Sequence, residues 1–175
     1  MKRQNYWIDL MPRKGEEVSA KRRELALRKF LFNTCNIVRF TVFDYGQLFP
    51  PRKVGGEQDP KFKAFAKIIQ KDFKKREVKK GKFLFFNTQR IYYFYKLSSQ
   101  MKQLINKRGL FYWNLTKEGG DFYCLMDATF YRGKQQIAEI LSFDHEISLH
   151  LTNAGKTKLE KQGLKLQAIP NNPRP

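Results

Sequence analysis

The chain has 175 residues and carries 35 Lys and Arg against 16 Asp and Glu, a formal net charge of +19 at pH 7. Its 41% hydrophobic and 15% aromatic residues predict a folded core and exclude a largely disordered polyelectrolyte. A folded domain with this excess of cations favours a polyanionic partner, and nucleic acid fits best because its phosphates bind many Lys and Arg at once.

The N-terminal third is predicted to hold a basic helix followed by a strand. Residues 1–33 form a basic N-terminal arm, and within it two acidic residues suited to a first helical turn begin a helix over residues 17–32. Val38, Phe40 and Val42 then alternate with Ile37, Arg39 and Thr41, which favours a strand over residues 37–43. The alternative at this point is that the apolar stripe of the preceding helix continues.

A proline- and glycine-rich loop separates this region from a second helix. The loop ends at Asp59 and Pro60, a capping carboxylate followed by the residue that suits a first helical position. Phe62, Phe65 and Ile69 follow at helical spacing among many lysines, so we expect an amphipathic helix whose basic end runs on to residue 82.

The next segment is predicted to contain a short buried strand and a long helix. Residues 82–86 are rich in Phe, and Asn87 and Thr88 follow as a capping pair. The apolar residues beyond them recur at helical spacing, which predicts a helix that ends near Gly109.

In the C-terminal part, the spacing of the apolar residues changes from a helical to a strand-like period. This pattern predicts a four-stranded antiparallel meander followed by a helix, over residues 110–163. The strands are predicted at residues 110–115, 121–131, 135–143 and 147–151, separated by short turn-like segments. Thr152 and Asn153 cap the last helix, and a Pro-rich tail occupies residues 170–175. We therefore predict one α+β domain over residues 1–169, an antiparallel meander packed with amphipathic helices.

Two junctions carry a resemblance to a known family. Residues 147–155 and residues 83–88 each read as a strand that runs into a capped helix, and residues 131–134 form an aromatic-Arg-Gly-Lys turn. These patterns cover about half of the chain and resemble the Whirly and positive-transcriptional-cofactor type of single-strand nucleic-acid-binding proteins. The resemblance implies sheets that bind unpaired nucleic acid, and assembly into homo-oligomers.

The candidate nucleic-acid-binding residues are two basic groups, the cations of one turn, and tyrosines that strand alternation places outside the core. Such cations position a strand through its phosphates, and exposed rings stack on unpaired bases. Strand alternation buries residues such as Phe122, Ala128 and Phe130, which leaves the candidate tyrosines on the opposite face, where packed helices are the alternative to a ligand. The candidates are Lys21, Arg22, Arg23, Arg28, Lys29, Lys74, Lys75, Arg76, Lys79, Lys80, Lys82, Tyr112, Tyr123, Tyr131, Arg132 and Lys134.

No motif in the sequence predicts a catalytic residue, a cofactor or a bound metal. Cys35 and Cys124 are too few and too far apart for a zinc motif or a disulfide framework, so we expect free thiols in a reducing compartment, cytoplasmic or nucleoid-associated. No apolar run approaches the ~20 residues that span a bilayer, so no membrane partner is expected.

Three functions remain open after this reading. The first is binding of single-stranded DNA or RNA without catalysis. The second is a small metal-dependent nuclease or toxin-like RNase that assembles Asp127, Glu139 and Asp144 beside Lys134. The third is a structural subunit of a larger ribonucleoprotein.

Overall fold

The computed structural model describes residues 3–10, 17–44, 60–83, 86–110, 126–141 and 146–169. Four α-helices and eight strands lie within these ranges. In chain order they are β1 (Gln4–Asp9), α1 (Glu17–Thr34), β2 (Ile37–Asp44), α2 (Pro60–Ile68), β3 (Phe73–Phe83), β4 (Phe86–Lys96), α3 (Ser99–Arg108), β5 (Met126–Arg132), β6 (Gln135–Leu141), β7 (Glu146–Leu151), α4 (Asn153–Glu160) and β8 (Gln167–Ala168). The predicted α+β class is confirmed.

All eight strands belong to one antiparallel sheet, in the order β3-β4-β2-β5-β6-β7-β1-β8. Strands β5, β6 and β7 are consecutive neighbours, which confirms the last three strands of the predicted meander. The first predicted strand falls mostly on residues 111–115, outside the described residues. Strand β1 pairs with both β7 and β8, so the N-terminal segment is an inner strand of the sheet.

The hydrophobic core lies between one face of the sheet and the helices. Alternate residues of the strands, such as Val38 and Phe40 of β2, point into it and are fully buried. Each helix adds apolar side chains to the same cluster: Leu27, Phe30 and Leu31 from α1, Phe65 from α2, Met101 and Ile105 from α3, and Leu159 from α4. The four described helices therefore cover the same face of the sheet.

Several locally encoded features are confirmed. Helix α1 begins at Glu17 as predicted and ends two residues beyond the predicted end. The predicted strand over residues 37–43 corresponds to β2. The hydroxyl of Thr152 accepts a hydrogen bond from the Gly155 amide and caps α4. Gly133 adopts a positive φ of 59° in the turn between β5 and β6.

The predicted extension of the second helix to residue 82 is wrong. Helix α2 ends at Ile68, and after a short 3-10 turn the basic segment forms β3, an eleven-residue strand at the edge of the sheet. The lysines leave no alternation of apolar residues that would identify a strand. Main-chain pairing with β4 holds the segment in the extended conformation instead. Lysine is common on edge strands because its charge discourages pairing with another chain.

The long helix predicted after Thr88 is also wrong over its first half. Residues 86–96 form β4, which pairs with β2 and β3, so Asn87 and Thr88 lie within a strand and the predicted strand-to-helix junction there is wrong. Ile91, Tyr93 and Tyr95 alternate into the core, whereas the predicted helix rested on the spacing of Ile91, Phe94 and Tyr95. The helix begins only at α3, where Ser98 is the N-cap and accepts a hydrogen bond from the Met101 amide.

None of the described helices combines the length and the apolar character needed to cross a bilayer.

Candidate functional site

The sheet face opposite the helices carries a row of directly paired residues that crosses seven strands. We call this face the polar face. Direct partners in an antiparallel sheet project to the same side, so the row follows from the register alone. From β3 to β1, with β8 left out, it reads Lys75, Phe94, Arg39, Thr129, Glu139, Ser148 and Trp7.

Arg39 of β2 occupies the middle of this row and is held by polar contacts. Its Nη2 donates to Thr129 Oγ1 at 2.7 Å and to Glu139 Oε1 at 3.0 Å. Thr129 is fully buried, so the hydrogen bond from Arg39 satisfies a hydroxyl that water cannot reach. These contacts fix the plane of the guanidinium group.

Two tyrosine rings contact the same guanidinium group. Its central carbon lies 4.5 Å from the centroid of the Tyr92 ring and 5.8 Å from that of Tyr131. Arginine is suited to this position because its planar, weakly hydrated cation stacks on aromatic faces. Arg39 therefore joins β2, β4 and β5 through rings as well as through hydrogen bonds.

Lysines of the edge strand extend this pattern of cations and rings. The Lys75 Nζ lies 4.3 Å from the centroid of Phe94, and the Lys79 Nζ lies 5.6 Å from that of Tyr92. Phe94 in turn contacts Tyr131, with ring centroids 5.9 Å apart. We call the six residues the cation–ring cluster: Arg39, Lys75, Lys79, Tyr92, Phe94 and Tyr131. Both lysines are exposed, Phe94 and Tyr131 are half-buried, and Tyr92 is buried.

Two carboxylates reduce the net positive charge of this cluster. Glu77 pairs with Lys75 on β3, and Glu139 pairs with Arg39. The Gln136 amide also lies 3.5 Å from the second oxygen of Glu139. On the same face, the register places Arg90 of β4 beside Lys79, which adds a further cation toward the β3–β4 hairpin. The positive charge therefore increases from the centre of the sheet toward its β3 edge.

The Tyr131 phenol stays protonated well above neutral pH. Burial raises its pKa, Arg39 lowers it, and the carboxylates of Glu139 and Glu77 raise it further. The cluster thus presents Tyr131 as a neutral ring that carries a hydroxyl group.

The structure divides the predicted basic group of residues 74–82 between the two faces of the sheet. Lys75 and Lys79 lie on the polar face, whereas Arg76 pairs with Tyr93 on the opposite one. Lys80 alternates with Lys79 and shares the side of Arg76, and Lys74 lies at a register shift. Lys74 and Lys80 are both exposed. The side chain of Lys82 lies outside the described residues.

The basic group of α1 lies on the helix side of the sheet, away from Lys75 and Lys79. Lys21, Arg22 and Lys29 are exposed there, and Arg23 contacts Ser19 within the helix. Arg28 pairs with Glu24 and donates to the Asn106 carbonyl at 3.0 Å, which links α1 to α3. The α1 group therefore lies on the side of the sheet opposite Lys75 and Lys79, the side that Arg76 and Lys80 also face.

The predicted residues around the β5–β6 turn also divide. Tyr131 belongs to the cation–ring cluster, whereas Arg132 lines a cavity on the helix side. Lys134 is exposed in the turn itself. Tyr112 and Tyr123 lie outside the described residues.

Sequence reasoning missed three members of the cluster, Arg39, Tyr92 and Phe94. The alternation of β2 already placed Arg39 on the face opposite Val38 and Phe40, so that signal was present. Tyr92 and Phe94 were missed because their segment was assigned to a helix. Read with a period of two, the same segment places them on the face opposite Ile91, Tyr93 and Tyr95, which point into the core.

Two of the three carboxylates proposed for a metal-dependent nuclease lie outside the described side chains. Glu139 is engaged by Arg39, while Asp144 and the side chain of Asp127 lie outside the described part of the chain. Within that part, no three His, Cys, Asp or Glu side chains are close enough to hold a metal ion.

Comparison of the chain with protein-family models, with curated proteins and with solved structures gives no match.

Proposed function

We propose that this protein binds single-stranded nucleic acid on its polar face, with bases against the rings of the cation–ring cluster and phosphates along the β3 edge. The observation that carries the proposal is the contact network in which Arg39, Lys75 and Lys79 each lie over an aromatic ring of β4 or β5. Aromatic rings interleaved with cations match the alternation of bases and phosphates in a single strand.

The accessibility of the rings supports a preference for unpaired strands. Phe94 and Tyr131 are half-buried and adjacent, so together they offer a partly exposed surface two rings wide. Bases in a duplex are stacked on each other and present only their edges in the grooves, whereas unpaired bases can lie on such a surface. Each stacked base contributes about 1–3 kcal/mol.

The overall charge supports a polyanion as the ligand. A net charge of +19 attracts phosphates at long range, and the exposed Lys75 and Lys79 provide contacts at the cluster itself. Phosphate contacts of this kind position a strand without reading its sequence. We therefore propose binding with little sequence preference.

Fluorescence anisotropy with labelled single-stranded DNA, single-stranded RNA and duplex tests the proposal. We expect tighter binding to one or both single strands than to duplex, and a steep linear fall of log affinity with log salt between about 50 and 200 mM. Equal affinity for duplex, or a slope near zero, would contradict the proposal. Recovery of the intact labelled strand after incubation with Mg²⁺ distinguishes binding from the nuclease alternative.

A double variant links the binding to the polar face. Phe94→Ala with Tyr131→Ala removes the two half-exposed rings, and Phe73→Ala is the matched control because Phe73 is an exposed ring outside the cation–ring cluster. We expect the double variant to lose its preference for single strands and the control to keep it. Unchanged binding by the double variant would mean that the binding site lies elsewhere on the protein.

A further inference from the structure

A cavity of about 440 Å³ opens at one end of the sheet, beneath the helices. It lies where β5 turns into β6, where β7 runs into α4, and beside the last turn of α1. Its volume is within the range of small-molecule sites, which is about 300–1,000 Å³. Its wall is partly apolar, with Phe30, Ile137 and Leu151.

Two arginines from distant parts of the chain line this cavity, Arg3 before β1 and Arg132 at the end of β5. Arg3 is oriented by the hydrogen bond that its Nη1 donates to the His150 carbonyl at 3.2 Å. Among the described residues neither arginine pairs with a carboxylate. Arg28 and Arg39, in contrast, each have a glutamate partner.

Both arginines act electrostatically on the same buried thiol, that of Cys35. Burial raises the pKa of Cys35 to about 12, and Arg132 and Arg3 both act in the opposite direction. Both arginines line the cavity with Thr34, the last residue of α1, where they offset the partial negative charge of that helix C-terminus.

Further groups that favour an anion face the same cavity. Ala154 and Gly155, in the first turn of α4, line it beside the N-cap Thr152. The first turn of a helix carries partial positive charge, and the Gly155 amide within it already donates to the Thr152 hydroxyl. The side chains of Thr34 and Gln135 add polar groups at the wall.

We propose that this cavity binds a phosphomonoester dianion, with Arg3 and Arg132 as its counter-charges and the first turn of α4 beside them. The fork of an arginine matches two phosphate oxygens. Two arginines match the two negative charges of a terminal phosphate better than the single negative charge of a phosphodiester. The apolar wall accommodates the group that carries the phosphate. This site is separate from the polar face and does not depend on the function proposed for it.

Titration of the ¹⁵N-labelled protein with inorganic phosphate and with adenosine 5′-monophosphate tests the site. We expect saturable shifts of the Ala154 and Gly155 amide signals and about tenfold weaker binding in Arg132→Gln, because a charge-assisted contact is lost. Lys158→Gln removes an exposed charge from α4 outside the cavity and is the matched control. Absence of saturable shifts with both probes would overturn the proposal.

Ala154→Asp separates loss of the site from loss of the fold. A carboxylate in the first turn of a helix favours the helix, while here it adds a negative charge at the cavity. We expect Ala154→Asp to unfold at the same or a higher temperature and to bind neither probe, with Ala154→Asn retaining binding. Binding of phosphate by Ala154→Asp with the affinity of the parent protein would overturn the proposal.

Oligonucleotides that differ only in a 5′-phosphate or a 5′-hydroxyl identify the source of the phosphate. Tighter binding of the 5′-phosphorylated strand, lost in Ala154→Asp, assigns the cavity to strand ends. Equal binding of the two strands, together with binding of adenosine 5′-monophosphate, assigns it to free phosphomonoesters. Binding of the 5′-hydroxyl strand tests the polar face alone. Failure of the function proposed for the polar face can therefore be distinguished from failure of the phosphate site in the cavity.

Discussion

Arg39 and Glu139 form an ion pair across β5, with Nη2 and Oε1 3.0 Å apart, although 100 positions separate them in the chain. The side chains are 14% and 34% exposed, so the pair is shielded from water on the Arg39 side. Glu139 holds the guanidinium group against Thr129 and the two tyrosine rings, and it also offsets part of the charge that a phosphate would meet. The ion pair therefore has opposite effects on stability and on the proposed binding.

We expect Glu139→Gln to weaken the fold and to strengthen binding of a single strand. The amide can still accept a hydrogen bond from Arg39 but leaves the half-buried cation unbalanced, which costs about 1 kcal/mol of unfolding free energy. Removal of a negative charge from the polar face raises affinity roughly fivefold. Urea denaturation and anisotropy measure the two effects, and weaker binding by a folded Glu139→Gln would contradict the role given to this carboxylate.

The ring of Tyr131 and its hydroxyl group are expected to contribute differently. Tyr131→Phe keeps the stacking surface and should bind a single strand with nearly the affinity of the parent protein, whereas Tyr131→Leu should lose about 1–3 kcal/mol. The measurement is anisotropy with one labelled strand at fixed salt. Equal losses in both variants would assign the contribution to the hydroxyl group and not to stacking.

Lys75→Gln and Lys79→Gln are expected to change the salt dependence more than the preference for single strands. Each lysine that contacts a phosphate contributes about 0.7 to the slope of log affinity against log salt. Lys21→Gln and Lys29→Gln, on the helix side of the sheet, are the matched controls because they remove the same charge from exposed positions. A larger change in slope for the α1 pair would place the phosphate path on the opposite side of the molecule.

The buried thiol of Cys35 predicts how stability depends on alkaline pH. The folded state holds the proton until the pKa of about 12, whereas the unfolded thiol releases it near the ordinary value of 9.0. This contribution is therefore complete below about pH 9 and is lost as the pH rises toward about 12. The difference in unfolding free energy between the parent protein and Cys35→Ala should shrink over that window, and a constant difference would contradict burial of the thiol.

Ser98 joins the start of α3 to the turn that follows α2. Its hydroxyl accepts from the Met101 amide and donates to the buried Asp72 carboxylate. Ser98→Ala removes both contacts, so we expect a loss of about 1–3 kcal/mol in unfolding free energy. Ser99→Ala, at the exposed neighbouring position, should change stability by less than about 0.5 kcal/mol, and equal effects of the two substitutions would contradict the capping role.

Features that depend on near neighbours in the chain were predictable. The Thr152 cap, the turn at Gly133 and the alternation of β2 rest on geometry within a few residues, and the structure has each of them. Residues 73–83 were misassigned because their lysines leave no apolar period, and residues 86–96 were misassigned because their aromatic residues fit both a helical and a strand spacing. The two segments pair with each other, and residues 86–96 also pair with β2, which makes both of them strands.

The amino-acid sequence by itself determined the charge, the α+β class and the antiparallel order of the C-terminal strands, because composition and short-range periodicity encode them. Only the tertiary structure decided which cations share a surface. The register of β2, β4 and β5 brings Arg39, Phe94 and Tyr131 together, and the same alternation separates Lys75 from Arg76. Strand pairing joins residues that are distant in the chain, and no local spacing contains that information.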